Sequence, residues 1–138
     1  YVAGRSTLGL FNTRPDVEIK SDATPLTLAD KNAERILREM IGKAYPNDAI
    51  LGEEEGATGS SDDQWIIDPI DGTKSFICGV PLYGTLLSFE RAGETQIGIA
   101  YMPALDWMVY AEKGQGTFSN GRKASVSNRA DIEGSIIC

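Results

Sequence analysis

One change of period constrains the fold of this chain more than any other feature. A single helical stretch gives way near Ala49 to short strands and turns. From Thr27 to about Ala44, apolar residues recur at Leu28, Ala29, Ala33, Ile36, Leu37, Met40, Ile41 and Ala44, the spacing of a helix with one buried face. Candidate strands follow at Ala49 to Gly52, Gln64 to Ile67, Tyr83 to Arg91, Gln96 to Met102, Met108 to Glu112, Gly116 to Ser119, Arg122 to Ser127 and Ser135 to Ile137. Asn120-Gly121 between two of them is a type I′ hairpin signal. A helix followed by hairpin-linked strands predicts an α+β fold, an antiparallel sheet with helices packed on one face. The 138 residues suit one core.

Before the helix the pattern is weaker. Tyr1 to Phe11 reads as the tail of a helix, Val17-Glu18-Ile19-Lys20 alternates as a short strand, and Ser21 to Pro25 is a loop. The last residues, Ile136-Ile137-Cys138, stop inside a strand-like run. The expectation is one domain over residues 1–138, half of a larger catalytic unit and cut at both ends.

Composition removes several functions. The chain contains no histidine, so Ser-His-Asp and Cys-His catalysis and histidine zinc sites have no residues to run on within it. With a net charge of −7 and 13 scattered basic residues, it lacks the clustered cations that hold a nucleic-acid backbone. No apolar run approaches the roughly 18 residues of a membrane span, and the start lacks a signal-peptide pattern. A cytoplasmic protein with neither nucleic-acid nor membrane partner is expected. Cys78 and Cys138 form no CxxC pair and read as packing residues.

The remaining chemistry rests on carboxylates. Glu53 follows Ile50-Leu51-Gly52, and Asp68 and Asp71 follow Trp65-Ile66-Ile67, so all three are expected at strand ends, where rigid scaffolds present ligands. Two such strands side by side would bring Glu53 near Asp68, and three converging carboxylates repel unless cations lie between them. Oxygen donors without His or Cys select Mg²⁺, Mn²⁺ or Ca²⁺, with Mg²⁺ usual where phosphate completes the shell. Pro69 removes an amide, which frees the carbonyl of Ile70 to turn inward as a further ligand. Gly72-Thr73 reads as a turn into a short helix whose amides hold a phosphate.

Asp30 has two readings that spacing leaves open. It is a capping-box partner of Thr27, or it acts with the Thr73 hydroxyl to orient and deprotonate an attacking water. Likewise Asp71-Gly72 alone is a routine turn and Glu53-Glu54-Glu55 alone a solvated run. Lys20 either faces the site or fringes a strand.

Gly52-Glu53-Glu54, Trp65 to Thr73 and Thr27-Leu28-Ala29-Asp30 together resemble the inositol monophosphatase superfamily along nearly the whole chain. The resemblance implies the N-terminal, antiparallel-sheet half of a layered α/β/α/β/α sandwich, and Mg²⁺-dependent hydrolysis of a small phosphorylated alcohol or sugar. It also implies two or three ions (Mn²⁺ possible), lithium sensitivity in many members and a homodimer in the full-length protein. By the same resemblance Glu53, Asp68 and Ile70 look like ligands of one metal, and Asp68 with Asp71 like ligands of a second. Asp30 and Thr73 match the pair that positions water, and Gly72 and Thr73 the amides that grip phosphate. Glu53, Ile70, Asp71, Gly72 and Thr73 would thus border the substrate. The segment Thr73 to Leu86 resembles histidinol-phosphatase-like members more than animal inositol monophosphatases. Alternatives are a fructose-1,6-bisphosphatase-like or nucleotide 3′-phosphatase-like member, or a non-catalytic metal-binding and assembly module.

The family takes a further metal-binding aspartate and most alcohol-recognition residues from a C-terminal half outside these residues. The 138 residues alone are therefore expected to bind Mg²⁺ weakly and release phosphate poorly. Robust Mg²⁺-dependent phosphate release from this chain by itself contradicts that expectation.

Overall fold

Thr27 decides where the long helix begins. Its side chain accepts from the Ala29 amide while Asp30 reaches back to the Thr27 amide, so the orphan donors of the first turn are satisfied reciprocally. The structure is a computed structural model that describes residues 1–21, 23–128 and 130–134. In it helix α1 spans Val2–Thr7, strand β1 Val17–Ile19, β2 Pro25–Thr27 and helix α2 Leu28–Ala44. Strands β3 (Ala49–Gly52), β4 (Gly56–Thr58) and β5 (Asp63–Asp71) follow, then the short helix α3 (Thr73–Ile77). Strands β6 (Gly84–Arg91), β7 (Glu94–Met102), β8 (Trp107–Glu112), β9 (Gly116–Ser119) and β10 (Arg122–Ala124) complete the order.

The eight strands from β3 onward form one sheet, ordered β10-β9-β8-β7-β6-β5-β3-β4, while β1 and β2 make a separate hairpin. This is the expected α+β architecture, with one exception: β3 runs parallel to β5, Gly52 opposite Ile67. The Asn120-Gly121 turn forms as expected, both residues at positive φ (45° and 79°) and joining β9 to β10.

Two apolar clusters bind helices to sheet. Ile41, Ile50 and Ile67 are buried with Leu37, Trp65 and Leu87 against them. Ala29, Ile70, Phe76 and Tyr83 form the second, covered by Leu10 and Phe11. Because Trp65 and Ile67 face α2, strand alternation turns Ile66 and Asp68 to the opposite face. On that face Ile66, Leu86, Ala100 and Val109 line an open groove of about 470 Å³.

Several expectations are corrected. The predicted buried face of α2 is narrower than its apolar pattern: Leu28 and Met40 are 58% and 52% exposed and Ala44 is exposed, whereas Glu34 is buried. The N-terminal helix stops at Thr7, so Leu10 and Phe11 reach the core from turns. Pro25 belongs to a strand rather than a loop, and Gly56–Thr58, which alternates too little to be noticed, pairs with β3. Asp68 and Asp71 lie within β5 rather than after it, since the strand continues past Pro69 through a register shift between them. Cys78 is exposed rather than packed. The expected strand at Ser135 to Ile137, and Cys138, lie outside the described residues. Among the described residues no helix is long and apolar enough to cross a membrane.

Phe76 ties α3 to the core, fully buried and edge-on to Tyr83 at 5.0 Å and 84°. Phe76→Ala is expected to cost about 3–5 kcal/mol in urea unfolding. Ile19→Ala, at a side chain 67% exposed, should stay within about 0.5 kcal/mol.

Candidate active site

The parallel pairing of β3 with β5 builds the site. Gly52 lies opposite Ile67, and the Glu53 amide donates to the Ile67 carbonyl at 3.1 Å, so the next residue on each strand, Glu53 and Asp68, come side by side. Glu53, Asp68, Ile70, Asp71, Gly72 and Thr73 line one cleft of about 300 Å³. This cleft is smaller than the apolar groove on the sheet face, which Asp68 also borders, but it gathers the polar groups. The two carboxyl groups, Glu53 and Asp68, stand close enough that each raises the cost of ionising the other.

That arrangement is electrostatically unfavourable as it stands. Burial, then the charge of Glu53, the hydrogen bond with it, and the charge of Asp71 push the Asp68 carboxyl from 3.8 up to about 7. Asp68 Oδ1 is buried and has no hydrogen-bond partner among the described residues, a cost that native structures rarely leave uncompensated. An oxygen-seeking divalent cation would satisfy this orphan atom and replace the proton between the carboxyls, so the donor chemistry fits such an ion. Among the described residues no three or more acidic, Cys or His side chains close into a metal-holding group. The three carboxylates expected to converge thus form a contacting pair with Asp71 nearby and exposed, and further donors must come from the Ile70 carbonyl, water or substrate.

Asp30 makes the contacts of both readings that its spacing left open, capping Thr27 and meeting Thr73. Its Oδ2 accepts from the Thr27 amide at 2.8 Å and from the Thr27 hydroxyl, while Oδ1 accepts from the Thr73 hydroxyl at 3.3 Å. Thr73 also donates to the Ile70 carbonyl at 3.1 Å, so one proton is shared between two acceptors. Asp30 is fully buried, and burial raises its carboxyl against the hydrogen bonds that lower it. Gly72 precedes α3 with φ 89°, a left-handed conformation that only glycine takes freely. A Cβ there would press on the Leu82 carbonyl at 3.3 Å.

Lys20 faces the site. Its ammonium lies 2.9 Å from Glu53 Oε1 and 2.6 Å from Glu54 Oε2, and although burial lowers its pKa, these hydrogen bonds raise it overall. Glu54, its carboxylate 4% exposed, is raised by burial against the pull of Lys20. Charge alternation in Val17 to Lys20 hinted at a strand but not at which way Lys20 points. Nothing in the residue pattern singled out Glu34, whose carboxylate accepts the amides of Glu54 and Glu55.

Residues 2–138 match the inositol monophosphatase family. The chain is 45% identical to a histidinol-phosphatase of Chlorobaculum parvum, over 98% of this chain and 53% of that protein. It is 37% identical to an inositol-1-monophosphatase of Mesorhizobium japonicum, over 98% of this chain and 52% of that one. Its fold superposes on the Thermotoga maritima IMPase with a TM-score of 0.88 at 35% identity, covering 94% of this chain and 51% of that one. The chain therefore spans about half the length of the curated relatives it matches.

The raised carboxyl of Asp68 makes stability fall as pH rises. Between about pH 4 and pH 7 the folded state holds a proton that the unfolded chain has released, so unfolding becomes easier across that window. Asp30 and Glu54, also raised, act with the same sign. In EDTA the urea midpoint is expected to be lower at pH 7.5 than at pH 5, and Asp68→Asn should flatten the difference. A midpoint that climbs with pH contradicts this assignment.

Proposed function

This chain belongs to the inositol monophosphatase family, and from that membership we propose that it is the N-terminal, cation-holding half of a Mg²⁺-dependent phosphatase acting on a small phosphate monoester. The observation that carries the reading is the orphaned, buried Asp68 oxygen set against Glu53 in a cleft that Asp71 and Thr73 share. Glu53, Asp68, Asp71 and the Ile70 carbonyl would hold the cations, with Mn²⁺ able to substitute for Mg²⁺. Bound there, the ions neutralise charge on the phosphoryl group and make water more acidic.

The chain's own groups do the rest. Thr73 donates its proton toward Asp30, which leaves the threonine oxygen free to accept from a water and orient it. Asp30, anchored by Thr27 so that it cannot turn away, is the base behind Thr73. Gly72 lets the chain approach the phosphate closely, and its turn leads into the first-turn amides of α3, which carry no side-chain cap. Catalysis of this kind is mostly positioning and charge stabilisation.

Histidinol phosphate is the favoured substrate class, because the histidinol-phosphatase relative is 45% identical against 37% for the inositol-1-monophosphatase. The alcohol portion would be recognised by residues outside this chain, in a cytoplasmic homodimer.

A substrate panel on the full-length protein tests the reading. Histidinol phosphate should be cleaved faster than inositol monophosphate or fructose 1,6-bisphosphate. Thr73→Ala should lower kcat by about 10²–10⁴-fold with little change in fold, and Asp68→Asn should abolish Mg²⁺-dependent turnover. Full activity of Asp68→Asn refutes the assignment.

A further inference from the structure

Glu34 lies one helical turn beyond Asp30 on α2 and, like Asp30, is fully buried. It does not line the cleft, yet both of its oxygens are hydrogen-bonded. Oε2 accepts from the Glu54 amide at 2.8 Å and Oε1 from the Glu55 amide at 3.0 Å. Arg38, one turn further along, donates Nε to Oε1 at 2.9 Å and brings Nη2 within 2.8 Å. A buried carboxylate supplied with this many donors is held in one orientation.

Arg38 extends the contact across the turn. It donates Nη2 to the Gly56 carbonyl at 2.5 Å and Nη1 to the Thr58 hydroxyl at 2.8 Å. The ion pair on α2 therefore grips the β3–β4 hairpin from Glu54 to Thr58. At Gly52 a side chain would overlap the Glu34 carboxylate and the Arg38 guanidinium. Gly52 does not occupy the left-handed region, so glycine is required there for space rather than for backbone freedom. The Glu53 backbone is thus fixed on both sides, by its own amide on Ile67 and by the next two amides on Glu34.

We propose that Glu34, with Arg38, is a positioning residue for the cation site. It holds the Glu53 backbone in register with Asp68 before any ion arrives, so that binding orders only the Glu53 side chain. The inference rests on the cation-site reading of the cleft. Such supporting contacts typically change metal affinity by about 10–100-fold, because a ligand that must be ordered at the moment of binding weakens binding. A purely structural ion pair would alter stability alone.

The test is Mn²⁺ affinity, measured on the full-length protein from the free-Mn²⁺ electron paramagnetic resonance signal. Glu34→Gln puts an amide donor opposite a backbone N–H at nearly constant volume, and is expected to weaken Mn²⁺ binding by about 10–100-fold while the circular dichroism spectrum is unchanged. Asp68→Asn, run beside it, should remove binding. If Asp68→Asn binds Mn²⁺ as the parent does, the cation reading fails and this inference with it. If Asp68→Asn loses binding while Glu34→Gln retains it in full, the inference alone is overturned. Should Glu34→Gln not fold, amide hydrogen exchange on the unsubstituted full-length protein decides. Protection of the Glu54 and Glu55 amides without metal supports the preformed clamp, and protection that arises only after Mn²⁺ is added overturns it.

Discussion

The whole site depends on one strand pairing, the parallel register of β3 against β5 with Gly52 opposite Ile67. In an otherwise antiparallel sheet this pairing runs two chain segments in the same direction, so Glu53, just past the end of β3, comes beside Asp68 within β5. A shift of one residue would turn every side chain on β3 to the other face, burying Leu51 against α2 and removing Gly52 from the Glu34 carboxylate. The register is held by the apolar side, where Ile50 and Ile67 pack on Ile41, and by the polar side, where Glu34 takes the amides beyond the strand.

That pairing brings like charges together in a partly buried place, which is the opposite of what stability alone would select. The consequences are visible in the orphaned Asp68 oxygen and its raised carboxyl. Around this crowding stand cationic groups: Lys20 on Glu53 and Glu54, and Arg38 on Glu34 and Glu55. Lys20 faces the cleft and Arg38 engages the outer side of the loop, and among the described residues no basic side chain pairs with Asp68. Uncompensated negative charge is thereby left at Asp68, beside Glu53.

Parts of this were legible in the residues. The helix from Leu28–Ala44 announced itself because Thr27 and Asp30 carry capping chemistry and the apolar residues recur at its period. The hairpin strands were legible from alternation and from Asn120-Gly121. Glu53, Asp68 and Asp71 stood out as oxygen donors at expected strand ends, while Asp30 with Thr73, and the set as a whole, came from the resemblance to the inositol monophosphatase superfamily. The structure brings Glu53, Asp68, Ile70, Asp71, Gly72 and Thr73 to one cleft and Asp30 against Thr73. Strand β4 was not legible, since Gly56-Ala57-Thr58 has too little hydrophobic contrast to show a period. The exposure of Leu28, Met40 and Cys78 was not either, because an amphipathic pattern names a face but not where the neighbouring sheet ends.

The sequence by itself determined most of the elements and narrowed the chemistry: local capping, periodicity and turn residues act over a few positions, and without histidine these 138 residues can offer a site only carboxylate, hydroxyl, amine, guanidinium, thiol and backbone groups. Only the tertiary structure decided which polar residues meet. Asp30 touching both Thr27 and Thr73, Lys20 facing Glu53, and Glu34 buried beneath the Glu53 loop all join residues up to 43 positions apart. A charged side chain carries no mark of its partner until packing removes the water between them.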